Sequence, residues 1–137
     1  MKLTHEVLEL IAKKKTKAEK VELLKQYETP ALRDYIRGSM DNTIKWLVPD
    51  GNPPYTPCDP HNCPSSLNKQ TRNLAYIVKG GPGEKMPAVK RENILIAMLE
   101  TIDPNDALLV ISMLNKKQPK GLTKAIIHEA YPGLLSD

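Results

Sequence analysis

The residues best suited to binding a ligand lie in one basic stretch near the carboxyl end. Its lysines surround a glycine, and a helix is predicted to begin just behind it, at Leu122 or Thr123. The amino end of a helix carries free N–H groups and a positive partial charge, which attract anions. Ammonium groups and a threonine hydroxyl there would form a phosphate seat. Its predicted members are Lys116, Lys117, Lys120, Gly121, Thr123 and Lys124.

The surrounding charges agree with an anionic ligand. No acidic residue occurs from Ala107 to His128, and a second lysine cluster lies near the amino end. That cluster contains Lys13, Lys14, Lys15 and Lys17, with Lys20 just beyond. The formal net charge is only +4, so placement matters more than the total. Both clusters would also suit solvated surface, and the turn could be a simple connection between helices.

Lysine dominates the basic residues, with 16 of the 20. Lysine contacts phosphate as a point charge, whereas arginine is favoured for reading base edges and for bidentate clamps. If the chain binds nucleic acid, we therefore expect contacts to the backbone with little sequence preference.

The loop around Cys58, His61 and Cys63 has the composition of half a zinc site. Structural zinc takes four ligands, commonly as two pairs, and the sequence has no second cluster. We therefore predict a loop with reduced thiols and no metal; a local disulfide is disfavoured in a reducing compartment. No cofactor is predicted.

The sequence also gives little support for a catalytic function. The neighbours His128 and Glu129 would face different directions on a helix, and Cys58 or Cys63 with His61 would lack a third, orienting group. The segment 80–85 is glycine-rich but does not fit the phosphate-loop pattern, and no strand precedes it. We expect a non-enzymatic protein.

Apolar residues recur at helical spacing along nearly the whole chain. Helices are predicted over 4–14, from Thr16, from Thr29-Pro30, around 44–47, from Ser66, over 87–101, from Asp103-Pro104 with an all-round apolar surface, and from 122 or 123 to Ala130. The chain has no Phe and one Trp, so the core must be aliphatic. The sequence predicts a single all-α domain over 1–137, a bundle of about seven short helices.

Six of the twelve prolines fall in residues 49–64. Proline fixes φ and lacks an N–H donor, so a rigid, non-helical loop is predicted there. A loop this long within a compact domain is often functional, and Tyr55 is predicted to be an exposed anchor for a protein partner.

Membrane insertion and secretion are not expected. No apolar run approaches the ~20 residues of a membrane span, and the first residues lack the apolar stretch of a signal peptide. The expected location is the cytoplasm.

The carboxyl end has a distinctive pattern. An apolar helix is followed by the basic turn, Gly121-Leu122-Thr123 and a closing Ala130-Tyr131-Pro132-Gly133-Leu134-Leu135. This resembles the end of the amino-terminal DNA-binding domain of ATP-dependent DNA ligases of the T-even bacteriophage type. The segments that resemble the first helices of that domain are 8–12, 16–20 and 23–25. The segment 32–36 and the exit at 46–49 also match the domain in character.

The resemblance implies a DNA-gripping helical fold that holds phosphates on the minor-groove side of a duplex. It also implies a phage protein in the cytoplasm of a bacterial host, with the virion as an alternative location. The family's catalytic Lys-x-Asp-Gly motif is absent, because Val48 stands two residues before Asp50-Gly51. In the family the catalytic domain follows this one, and here the sequence given ends at Asp137.

Two functions follow as hypotheses. The first is a non-catalytic accessory protein that binds duplex DNA through the residues 116–124, with the 13–20 cluster second. The alternative is an interaction module or adaptor for a replication, repair, transcription or virion protein.

Overall fold

The protein is represented by a computed structural model that describes residues 3–48, 53–60 and 62–135. Its seven α-helices confirm the all-α prediction, and the described residues form no β-sheet. The helices are α1 (Thr4–Ala12), α2 (Lys17–Gln26), α3 (Pro30–Met40), α4 (Leu67–Gln70), α5 (Ala88–Thr101), α6 (Pro104–Leu114) and α7 (Lys124–Ala130). A 3₁₀ helix, Thr71–Tyr76, continues directly from α4.

Local capping explains where several helices begin. The side chains of Thr16, Thr29, Asp103 and Thr123 each accept a hydrogen bond from a backbone N–H in the first turn of the following helix. Such a bond satisfies one of the donors that a helix leaves free at its amino end. Pro30 and Pro104 occupy the first helical positions of α3 and α6, where the missing N–H costs nothing.

The core is aliphatic, as predicted. Helix α2 packs on α7, α3 packs on α6, and α1 contacts both α2 and α6. The interior is built mainly from leucine, isoleucine, valine and methionine side chains of these elements. The amino-terminal helices are therefore held directly against the last two helices.

Three predicted elements differ in the structure. Residues 44–47 form no helix; instead Trp46 makes an isolated antiparallel bridge with Val78. The predicted helix from Ser66 is divided into the four residues of α4 and the 3₁₀ helix. Helix α6 is not buried on all sides, because Leu108 is 56% exposed.

The proline-rich loop is non-helical where it is described, as predicted, and it is attached to the carboxyl end of α5. The Thr56 N–H donates to Glu100 Oε2 at 2.8 Å, and the Ser65 N–H donates to the Thr101 carbonyl at 2.9 Å. Residues 49–52 and 61 of the predicted loop lie outside the described residues.

Candidate nucleic-acid interface

The basic turn between α6 and α7 is folded back onto the protein. Pro119 and Leu122 are buried and anchor it, and the Leu122 N–H donates to the Pro119 carbonyl at 3.3 Å. Lys117 and Lys120 are exposed on the same turn. Two buried apolar side chains thus hold the turn while two ammonium groups remain available to a ligand.

A close contact joins this turn to the amino-terminal helices. Gly121 has a positive φ of +79°, and a Cβ built there would lie 3.3 Å from both Ala12 Cα and Lys20 Nζ. The Lys20 ammonium donates a 2.6 Å hydrogen bond to the Gly121 carbonyl oxygen. Lys13 directly follows Ala12, so the two lysine clusters predicted from the sequence lie on either side of one contact.

We call this surface the basic seam. It comprises the exposed lysines that flank the contact between Ala12 and Gly121, namely Lys13, Lys15, Lys117 and Lys120. Lys14 is half-buried beside them. Lys17 is exposed, and its Nζ lies 3.5 Å from Glu129 Oε2 on α7, which offsets part of its charge. The seam therefore combines residues that are about a hundred positions apart in sequence.

Lys116 differs from its neighbours in the predicted phosphate seat. Its φ is +56°, and its half-buried side chain donates to the Asp41 carbonyl oxygen at 2.9 Å. This ammonium group stabilises the connection between the end of α3 and the turn. Lys116 is therefore not part of the basic seam.

Thr123 and Lys124 also have structural roles at the start of α7. The Thr123 hydroxyl oxygen accepts from the Ile126 N–H at 3.3 Å, so it occupies one of the donors expected to face a phosphate. Lys124 is half-buried at the first position of a helix of only seven residues. The ligand-binding potential of this region thus rests on exposed lysines and not on the helix terminus.

The two cysteines are free thiols on the proline-rich loop. The Cys58 thiol donates to the Ile102 carbonyl at 2.8 Å, and the Cys63 thiol donates to the Asp59 carbonyl at 3.3 Å. Burial, a hydrogen bond with Cys58 and nearby negative charge raise the pKa of Cys63 to about 11. His61 lies outside the described residues, and those that are described contain no cluster of three metal-ligating side chains.

Tyr55 is less exposed than predicted, and its role as an anchor for a protein partner stays a prediction. Its side chain is half-buried against the core, and burial raises the pKa of its hydroxyl. The neighbouring bond from Thr56 to Glu100 draws this segment onto α5. The proline-rich loop therefore uses Tyr55 for packing within the chain.

A second surface has no local signal in the sequence. A cleft of about 250 Å³ opens between α3, the Trp46 segment and the 3₁₀ helix. Arg37 and Arg72, 35 positions apart, are both exposed beside it. Only the packing of α3 on the 3₁₀ helix brings these two arginines together.

These features define a small all-α protein with a lysine-lined seam. Its residues 7–120 match the model of the DUF6433 family, described as a family of unknown function, and the chain belongs to that family. The match includes the amino-terminal lysine cluster and the basic turn as far as Lys120. No curated protein matches the chain. None of the helices within the described residues has the length and apolar character to cross a membrane.

Proposed function

We propose that this chain is a non-catalytic bacteriophage accessory protein that binds duplex DNA through its backbone phosphates in the host cytoplasm. The observation that carries the proposal is the contact of Gly121 with Ala12 and Lys20, which brings together the two chain segments that carry the lysine clusters. The resemblance to the DNA-binding domain of T-even-type ligases supports the same ligand.

The chemistry of the basic seam favours phosphate over base contacts. All of its cations are lysines, which neutralise phosphates without the fixed fork that reads a base edge. Counterions released from the DNA backbone then supply the binding free energy, largely independently of sequence. The protein would therefore bind duplex DNA through closely spaced phosphates, whatever the base sequence.

Fluorescence anisotropy with short labelled duplexes tests this proposal. The chain is titrated into intact, nicked and single-stranded DNA of two unrelated sequences, at two salt concentrations. We expect similar affinity for both duplex sequences, weaker binding to single strands, and a marked loss at the higher salt. Absence of duplex binding at low salt, or a preference for single strands, would contradict the proposal.

A charge-reversal series then tests the basic seam. The variant with Lys13, Lys15, Lys117 and Lys120 changed to Glu should lose duplex binding while its thermal unfolding midpoint stays near that of the wild type. The matched control changes four other exposed lysines, Lys69, Lys79, Lys85 and Lys90, to Glu. Equal losses in both variants would show that net charge, and not the seam, governs binding.

The alternative function is interaction with a replication, repair, transcription or virion protein, for which Tyr55 is the anchor predicted from the sequence. The cleft beside Arg37 and Arg72 is the feature that favours it now.

A further inference from the structure

The cleft next to α3 has apolar walls and a cationic rim, and we call it the arginine cleft. Arg37 and Arg72 lie at its rim. Its apolar lining residues are Ile44, Trp46, Leu74, Ala75 and Val78. It lies apart from the basic seam in sequence, since none of its lining residues belongs to either lysine cluster.

The walls of the arginine cleft are held in place by bonds within the protein. The Trp46 indole N–H donates to the Gly38 carbonyl at 3.2 Å, which orients the ring. The bridge to Val78 fixes the Trp46 backbone from the other side. Because these bonds within the chain hold the walls in position, an incoming group would not have to order the cleft.

Two polar side chains of the lining, Thr71 and Asp34, are bonded to each other. The buried Thr71 hydroxyl donates to Asp34 Oδ2 at 2.7 Å. Within the described part of the chain, the two arginines form neither an ion pair nor a side-chain hydrogen bond. The cleft therefore offers two guanidinium groups, five donors each, to a partner.

Two exposed lysines lie close to the cleft in the chain. Lys45 and Lys79 directly adjoin the two residues of the bridge, Trp46 and Val78, and both lysines are exposed. The Lys79 N–H donates to the Lys45 carbonyl at 2.8 Å, so the two residues are neighbours in space. The charged residues that line the cleft are the two arginines and Asp34, and Asp34 is already bonded to Thr71.

Size and polarity indicate what the cleft accepts. Its 250 Å³ is below the range of about 300–1,000 Å³ typical of pockets for whole small molecules. A nucleobase would bring several donors and acceptors, and apart from the Trp46 ring the apolar walls are aliphatic side chains that cannot pair with them. A single apolar side chain fits the volume of the cleft and the apolar character of its walls. Carboxylates beside that side chain would pair with the guanidinium groups of the two arginines.

We infer that the arginine cleft binds an acidic segment of another protein, which inserts one large apolar side chain and places carboxylates on Arg37 and Arg72. Interface hot spots commonly consist of large side chains inserted into a pocket, with polar residues at the rim. This binding site is independent of the proposed DNA contact, so one chain could connect a protein partner to a duplex.

Peptide selection tests the inference without a known partner. Random displayed peptides of about twelve residues are panned on the purified full chain, and the recovered peptides are synthesised. We expect them to carry a large apolar residue flanked by Asp or Glu. Trp46 is the sole tryptophan of the chain, so their binding should shift its fluorescence. Recovery of no peptide, or of peptides without acidic residues, would overturn the inference.

Paired variants locate the site. The double change Arg37→Glu with Arg72→Glu should weaken the selected peptides by at least about tenfold, because two charge-assisted pairs become repulsive. The double change Lys117→Glu with Lys120→Glu alters net charge equally and should leave peptide affinity unchanged. Equal weakening by both variants would refute the assignment to the cleft. Thermal unfolding verifies that each variant is folded.

The same variants separate this inference from the proposed function. Loss of DNA binding in the lysine variant, with peptide binding intact, supports two separate sites. Absence of DNA binding in the wild type would refute the proposed function and leave the peptide result standing. A single-stranded oligonucleotide that shifts Trp46 fluorescence and requires both arginines would show that the occupant is nucleic acid, and the inference would be wrong.

Discussion

The Lys20 ammonium group donates a 2.6 Å hydrogen bond to the carbonyl oxygen of Gly121, a residue 101 positions later. This carbonyl belongs to the turn before α7, and the bond is partly buried. Charge-assisted hydrogen bonds are about twice as strong as those between neutral groups. Lys20 therefore does more than add charge: it attaches the carboxyl-terminal turn to α2 and keeps the two lysine clusters together.

Replacing Lys20 by Met tests this attachment. Met retains the aliphatic chain but cannot donate, so we expect a loss of about 1–2 kcal/mol in the free energy of unfolding, measured in urea. The control is Lys17→Met, which removes an exposed ion pair with Glu129 and should cost at most about 0.5 kcal/mol. Equal effects of the two changes would show that the bond to Gly121 adds no stability.

The effect of replacing Gly38 by Ala on stability can also be predicted from its contacts. An alanine in place of glycine normally stabilises a helix interior by about 1 kcal/mol. In α3, however, the added Cβ would lie 2.5 Å from the Trp46 ring and 2.6 Å from Met113 Sδ. Because such overpacking typically costs about 1–3 kcal/mol, Gly38→Ala should lower stability and change Trp46 fluorescence. A raised unfolding midpoint would contradict this packing.

Asp106 should make stability depend on pH. Its carboxyl is buried on α6, which raises its pKa above the ordinary 3.8, although hydrogen bonds from the His5 backbone and ring oppose the rise. The folded protein then holds this proton more tightly than the unfolded chain does. The stabilisation that this proton adds to the folded protein is complete below about pH 3.8. It is lost as the pH rises through the pKa of Asp106 in the folded protein.

The comparison uses Asp106→Asn, which cannot titrate. The wild-type unfolding free energy minus that of the variant should fall as the pH is raised from about 3 to about 6, by at most about 1.4 kcal/mol per pH unit. Urea titrations of both proteins across this range measure the difference. A difference that grows with pH would mean that His5 outweighs burial.

Local chemistry was enough to predict most of the helices. The starts at Thr16, Thr29 and Asp103 depend on side chains that bond N–H groups two or three residues away, so the sequence reveals them directly. The segment around Trp46 could not be predicted in this way. Its bridge partner, Val78, is 32 positions distant, and that pairing overrides the local apolar spacing.

The candidate sites likewise combine features that the local sequence reveals with features that only tertiary packing creates. Lysine clusters are visible in the sequence, but their proximity depends on Ala12 packing against Gly121. Lys116 could not be distinguished from Lys117 by pattern, because its bond to Asp41 follows from the tertiary fold. The arginine cleft has no sequence signature at all, since α3 and the 3₁₀ helix each supply one arginine.

The Cys63 thiol should react slowly with alkylating agents. Burial, the hydrogen bond with Cys58 and the charges of Asp103 and Asp59 raise its pKa to about 11, compared with an ordinary value of 9.0. Thiolate is the reactive species, so at pH 8 the reactive fraction should be about one hundredth of that of an ordinary cysteine. Timed iodoacetamide labelling, mapped by mass spectrometry, measures the rate at Cys63. Equal rates in the native and urea-unfolded protein would contradict the raised pKa.

The salt dependence of DNA binding should report how many seam lysines contact phosphate. Each phosphate neutralised on B-form DNA contributes about −0.9 to the slope of log K against log salt, so about four contacts predict a slope of roughly −3 to −4. Changing Lys117 and Lys120 to Gln should make the slope less negative by about 1.8. The control, Lys85→Gln with Lys90→Gln, removes the same charge elsewhere and should leave the slope unchanged. A slope that shifts equally in both variants would indicate diffuse attraction to the whole protein and exclude phosphate contacts at the turn.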